Sequence, residues 1–187
     1  MIKYFLLLLS FFAFSCEQRS NTEIVRTYMM ESSTSELSNM LTEDAVAVFS
    51  DSPDALTKED ILLNHEFNQA YQPWKEIQYI KELNDSTVEL QALETNKLLS
   101  IFKIDTIGYQ YRFTLINSAI TKIEMDTIAN SEFNYRAVDS LYNLRLTELF
   151  DWISLVYPDK YEHIGELSSE SSRLILELAE EKEDNRH

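Results

Sequence analysis

Apolar residues recur along this chain in two periods, and the change between them divides it. From 22 to 32, Ile24 and Tyr28, then Val25 and Met29, fall four apart, the spacing of one helical face; Asn21 or Thr22 stands where an N-cap belongs. Leu37, Met40 and Leu41 give a second short helix over 34–41, and 44–49 (DAVAVF) reads as a small strand. Thr57-Lys58-Glu59-Asp60 resembles a capping box and opens a helix over 58–71, which Pro73 stops. The period then shortens to two. Strands are predicted over 74–83, 87–94, 108–116 and 119–127, with turns at Asp51-Ser52-Pro53-Asp54, Asn84-Asp85 and Asn117-Ser118. Within 95–106, residues 98–104 suggest a further short strand. From 133 to 157 helical spacing returns through Val138, Leu141, Tyr142, Leu149, Phe150, Ile153 and Val156. Pro158 breaks that helix, Tyr161, Ile164 and Leu167 suggest a helical turn, and Ser169 caps a last helix running to about Glu181.

The N-terminal pattern is of another kind. Lys3 precedes the apolar run 4–14 (YFLLLLSFFAF). At about 1.5 Å per residue this run reaches roughly 16 Å, short of the ~30 Å core of a bilayer, so it reads as the apolar region of a secretory leader. The chain's only cysteine, Cys16, follows in Ala13-Phe14-Ser15-Cys16. These residues resemble the lipobox of bacterial lipoproteins, although Leu is commoner at Ala13 and Phe14 is bulky. The resemblance implies cleavage after Ser15 and acylation of Cys16, with anchoring in the membrane through the acyl chains. Glu17 stands where an inner-membrane retention signal has Asp, which implies an outer-membrane destination in the envelope of a Gram-negative cell. A plain signal peptide with an incidental cysteine, or a short apolar helix, is the alternative. A single cysteine excludes an internal disulfide and a multi-cysteine metal site.

The segmentation that results is a leader over 1–15, a tether over 16–21, a principal domain over 22–127 and a helical extension over 128–187. In the principal domain, Glu36-Leu37-Ser38-Asn39-Met40-Leu41-Thr42-Glu43-Asp44-Ala45-Val46 carries a helix into a first strand, and Lys58-Glu59-Asp60-Ile61 opens the third helix. Glu94-Thr95-Asn96 and the hairpin over 109–125 follow, with Asn117-Ser118-Ala119-Ile120 in place of a usual Asp-Gly-Lys-Ile turn. In that order these residues resemble the NTF2-like superfamily, SnoaL-like proteins included. The resemblance implies an α+β cone: a curved antiparallel sheet with N-terminal helices, here followed by C-terminal helices. The tail over 146–180, with Phe150-Asp151-Trp152 and Tyr157-Pro158, looks like the C-terminal extension of some bacterial members. The superfamily contains isomerases, dehydratases, cyclases and non-enzymatic ligand-binding modules, so its fold does not fix a function.

Charge removes several classes. The chain's 187 residues carry a net charge of −16, and loss of Lys3 with the leader deepens it to −17. Such a surface repels phosphate backbones and anionic lipid, so no nucleic-acid partner is expected. With 44% apolar and 12% aromatic residues the chain can bury a real core. Two glycines in all leave no phosphate-cradling loop, and the serines form no nucleophile elbow. His65, His163 and His187 are too scattered for a metal site, and no cofactor is expected.

Six residues remain as candidates for a ligand site. On 87–94, Val88, Leu90, Ala92 and Glu94 share a face, so Glu94 ends an apolar stripe; desolvated there, it could act as a base or acid, or it could be a rim carboxylate bonded to Asn96 or a backbone amide. Asp44, where the first strand begins, is the second carboxylate. Tyr109 and Tyr111 lie on one face with Phe113 and Leu115, lining a pocket or packing a core. His65 could pair with Asp44 or Glu94, or sit half-exposed on its helix. Tyr28 falls where the resemblance to ketosteroid isomerases places an oxyanion-hole tyrosine, but their catalytic base falls on Phe49 and their second acid on Tyr109, which disfavours that chemistry. The expected function is a lipid-anchored envelope protein whose pocket domain binds a small ligand or a protein partner without catalysis. The alternative is a small-molecule lyase or isomerase with a pocket carboxylate as general base. Association of two copies through the sheet face is the expected oligomer.

Overall fold

The computed structural model of the protein describes residues 19–50, 54–127, 135–165 and 168–185. Its order of elements is α1 (Asn21–Met30), α2 (Thr34–Met40), β1 (Leu41–Phe49), β2 (Ala55–Thr57), α3 (Lys58–Gln69), β3 (Trp74–Asn84), β4 (Thr87–Thr95), α4 (Lys97–Ile101), β5 (Ile107–Ile116), β6 (Ala119–Thr127), α5 (Tyr135–Val156), α6 (Pro158–Tyr161) and α7 (Ser169–Asp184). The leader, Cys16, the turn residues 51–53 and Val138 and Leu167 of the sequence patterns lie outside the described residues or side chains.

The strands form one curved six-stranded sheet in the order β2-β1-β6-β5-β4-β3, so the α+β class and the curved sheet with helices are as expected. Neighbouring strands are antiparallel except β1 and β6, which run parallel. Register shifts between Ile77 and Tyr79 on β3 and between Thr114 and Leu115 on β5 bend the sheet, because a bulge adds local twist. Asn117 and Ser118 turn from β5 to β6 with φ of 51° and 65°, the left-handed pair that a two-residue hairpin of this twist requires.

Local chemistry moves several boundaries. Ser20, not Asn21 or Thr22, caps α1: its hydroxyl accepts from the Glu23 amide while Glu23 accepts the Ser20 amide. Thr57 and Asp60 form the corresponding box on α3. That helix ends at Gln69, short of Tyr71, whose ring turns into the core and whose carbonyl accepts the Lys97 amide. Residues 98–104 do not form a strand. Asn96 Oδ1 accepts the Leu99 amide at 2.8 Å and starts α4, which buries Leu98, Leu99 and Phe102 at helical spacing. Ser168 rather than Ser169 caps α7.

Two apolar clusters fill the molecule. In the first, Ile24, Val25 and Met29 of α1 close over Val88, Leu90 and Ala92 of β4 and Phe113 of β5, so the concave face of the sheet is packed with side chains. In the second, α5 and α7 cover the other end: Leu149, Ile153, Ile175 and Leu178 bury Leu98, Leu99, Phe102 and Ile107. Each of these valine, leucine, isoleucine, methionine and phenylalanine side chains contributes about 1.5–3 kcal/mol by leaving water. The Tyr157 hydroxyl donates to Glu181, joining the end of α5 to α7, and the Ser171 hydroxyl donates to the His163 carbonyl at 2.8 Å. Tyr109 packs against both clusters. No helix among the described residues is long and apolar enough to cross a membrane.

Candidate functional site

The alternation on β4 places Val88, Leu90 and Ala92 in the core with no exposure, and Glu94 continues that face to the end of the strand, one-fifth exposed. On β5 the same alternation directs Tyr109, Tyr111, Phe113 and Leu115 inward, and Arg112 outward to face Glu89 at 3.7 Å. Tyr111 stands opposite Leu90 in register but leans along the strand, and its hydroxyl donates to Glu94 Oε1 at 2.7 Å. The same oxygen faces Lys75 Nζ at 3.6 Å, from the β3 residue that pairs with Glu94 across the ladder. Glu94 is therefore neither bonded to Asn96 nor free. A phenol and an ammonium already hold it.

The tyrosines form a connected row. Tyr111 stacks on Phe113 with ring centroids 5.9 Å apart, Tyr109 lies 5.9 Å from Tyr111, and Tyr28 meets Phe113 edge-on at 5.7 Å. Burial pushes the Tyr111 phenol well above its usual range, and the neighbouring Glu94 charge, Tyr109, the bond to Glu94 and Tyr28 all act in the same direction. Burial alone raises Tyr28. Both rings stay protonated across the physiological range, so Tyr111 can only donate to Glu94.

His65, half-exposed on α3, does not pair with either carboxylate. Its Nε2 lies 3.1 Å from the Ser32 carbonyl between α1 and α2 and 3.2 Å from Gln69 Nε2. Desolvation holds its pKa below the ordinary value; the Ser32 carbonyl opposes this, the Lys75 charge reinforces it, and Glu31 opposes it weakly. Lys75 thus acts on both Glu94 and His65. Asp44 is not brought to this group. It is exposed on β1 in the break of pairing between Leu41 and Val46, and sheet order separates β1 from β4 by β6 and β5, roughly 14 Å at about 4.8 Å per strand. Its neighbour Glu43 instead binds Lys58 at 2.8 Å and fixes the start of α3. Among the described residues no cluster of histidine, cysteine and carboxylate side chains could hold a metal ion.

Open space lies outside the cone. A groove of about 580 Å³ runs between the α1–α2 link, the end of α3 and the start of α7, lined by Ser32, Thr34, Glu66, Gln69, Gln72 and Arg173 among others. Ser32 and Gln69, the two partners of His65, form part of its wall. A second groove of about 570 Å³ lies across α3 against Glu43, Thr57, Leu62 and Leu63. Lys75, Ser32, Gln69 and Arg173 were not among the sequence candidates. The cross-strand pairing of Lys75 with Glu94, opposite charges on neighbouring strands, is the one signal that could have found the lysine.

No protein-family model matches the chain, and no curated protein matches it. Among solved structures it is similar to an NTF2-like protein of unknown function from Cytophaga hutchinsonii ATCC 33406, with 12% identity and a TM-score of 0.49 over 65% of this chain and 96% of that one. It is also similar to a candidate SnoaL-like polyketide cyclase from Jannaschia sp. CCS1, with 15% identity and a TM-score of 0.47 over 56% and 83%. A third is SalBIII, an epoxide hydrolase/cyclase-like enzyme of pyran ring formation in salinomycin, with 17% identity and a TM-score of 0.48 over 57% and 88%.

Proposed function

We propose that this chain is a lipid-anchored envelope protein whose NTF2-like domain binds a small ligand or a protein partner and does not catalyse a reaction. The observation that carries the reading is the state of the concave face. Val25, Leu90 and Phe113 fill it without exposure, and the one carboxylate at its end already accepts a hydrogen bond and faces a cation. A general base needs a free lone pair aimed into a space that a substrate can enter. Tyr111 and Lys75 hold Glu94 through Oε1 at the rim of a filled face, while the two open grooves found among the described residues lie along α3, the one beside α7 lined mainly by polar side chains and the other including Leu62 and Leu63. Residues 4–16 support the anchor through the leader and the single cysteine.

Two measurements test the reading. Expressed with its leader, the protein fractionates with membranes, and Cys16→Ser releases it; membrane association that survives the substitution removes the acyl anchor. Native mass spectrometry of the purified protein then shows whether a small molecule copurifies, and Gln69→Ala together with Arg173→Ala weakens retention of that molecule or of a captured partner. Recovery of a ligand chemically converted on incubation overturns the non-catalytic reading.

A further inference from the structure

α1 begins at the opposite end of the sheet from Glu94. Asn21 Nδ2 donates to the Asp85 carbonyl at 2.9 Å, and the Thr22 amide donates to Glu82 Oε1 at 3.3 Å, so the first helical turn is fastened to the β3–β4 turn. The β5–β6 turn lies beside it, since the Leu115 amide donates to the Ser86 carbonyl at 2.8 Å. This pole carries two large apolar side chains that the core does not use: Ile116 is 58% exposed and Leu83 44% exposed. Ile116 alternates with buried Leu115, Leu83 falls in the register break between Glu82 and Asn84, and each adjoins one of the two turns.

Between Cys16 and the cap residue Ser20 lie four residue steps. Fully extended they span at most about 14 Å. From these observations we infer that the β3–β4 and β5–β6 turns face the bilayer, with Leu83 and Ile116 set against the lipid headgroup layer, and that Glu94, His65 and the α3 groove point away from it. The inference rests on the acyl anchor proposed at Cys16 and adds an orientation to it. A tether that short cannot carry the far end of the sheet to the membrane: Thr87 to Glu94 alone is seven residue steps of β4, about 23 Å at ~3.3 Å each. Glu82 and Asp85 at the same pole specify the surface further. Their carboxylates oppose anionic lipid, so the partner is a zwitterionic bilayer.

Acylation consumes the only cysteine, so a single introduced cysteine is a unique labelling site. The acylated full-length chain, as Ile116→Cys, Leu83→Cys or Asp105→Cys, is labelled with a bimane fluorophore and reconstituted in phosphatidylcholine vesicles containing a headgroup-nitroxide lipid. Labels at 116 and 83 are expected to be quenched at least threefold more than the label at 105, which lies in the loop before β5 at the other pole. Equal quenching at the three positions, or stronger quenching at 105, overturns the orientation. Flotation of each labelled protein with the vesicles is measured in the same samples. A chain that does not float removes the anchor and the orientation together, whereas a chain that floats with equal quenching removes the orientation alone. Far-ultraviolet circular dichroism and melting of the Ile116→Cys variant must match the parent, and the Leu83→Cys variant repeats the measurement from the other turn.

Discussion

The Tyr111 hydroxyl donates to Glu94 although the two residues sit four positions apart in strand register, Tyr111 opposite Leu90 and Glu94 opposite Ile107. The bond forms because the ring lies along the sheet between Tyr109 and Phe113 rather than standing upright. The carboxylate is therefore positioned by aromatic packing, and removing the phenol oxygen acts on Glu94 without touching it.

Tyr111→Phe removes one buried donor and leaves Glu94 to Lys75. Its expected cost is about 1.5–3 kcal/mol, the usual contribution of one hydrogen bond to a charged group, read as a shift in the urea midpoint. Glu94→Gln keeps an acceptor for Tyr111 and removes the charge, so stability should stay within about 1 kcal/mol. If Glu94 contributes to ligand retention, Gln at 94 lowers it. A large loss of stability with ligand retention unchanged would assign Glu94 to the fold.

Stability should fall as the solution becomes alkaline. Tyr28, Tyr71 and Tyr111 all have folded-state pKa values raised chiefly by burial. Above about pH 10 the unfolded chain loses phenolic protons that the folded chain keeps, so the unfolded state gains and the melting temperature drops as pH rises past that point. Ultraviolet titration at 295 nm should show part of the tyrosines ionising only with unfolding. Tyr111→Phe should flatten the slope above pH 10.

On the acid side His65 has the opposite sign. Its folded pKa is lowered, chiefly by desolvation, so below about pH 6.5 the unfolded chain takes up a proton that the folded chain resists. Stability present above that pH is lost as pH falls. His65→Gln should reduce the drop in melting temperature between pH 7 and pH 5, and an unchanged drop would assign it to other groups. The C2 proton of His65, followed by NMR, should titrate below the ordinary histidine value.

The helices after β6 are part of the domain's stability. Ile153 of α5 is fully buried in the second cluster, and Ile153→Ala should cost about 2–5 kcal/mol by thermal or urea unfolding. Truncation after Thr127 uncovers Leu98, Leu99, Phe102 and Ile107 together and should give an aggregating product. A soluble truncated chain with unchanged melting temperature would show the extension to be independent.

The strands of this fold were legible because their inner faces alternate without interruption. Val88, Leu90, Ala92 and Tyr109, Tyr111, Phe113, Leu115 all lie inward as the period of two requires. What the pattern could not give were decisions made by single polar atoms. Asn96 turned an apolar stretch of ambiguous period into α4, and Ser20 rather than its neighbours took the cap of α1. β2 is three residues long and carries no periodic signal, and the parallel pairing of β1 with β6 joins residues far apart in sequence. At the site, Glu94, Tyr109, Tyr111 and Tyr28 were drawn together by a shared face and by the first helix. His65 bonded to Ser32, a contact between the middle of α3 and the α1–α2 link that no spacing encodes, and Asp44 was separated by sheet order.

The parallel pairing also sets when the chain can become a globule. β1 is the first strand to be made and its central partner β6 the last, so Val46 finds Lys122 only after the intervening four strands exist. Sequence-distant pairing of this kind closes slowly. The first strand therefore stays threadable while synthesis proceeds, and collapse into the finished sheet waits until the second hairpin has arrived.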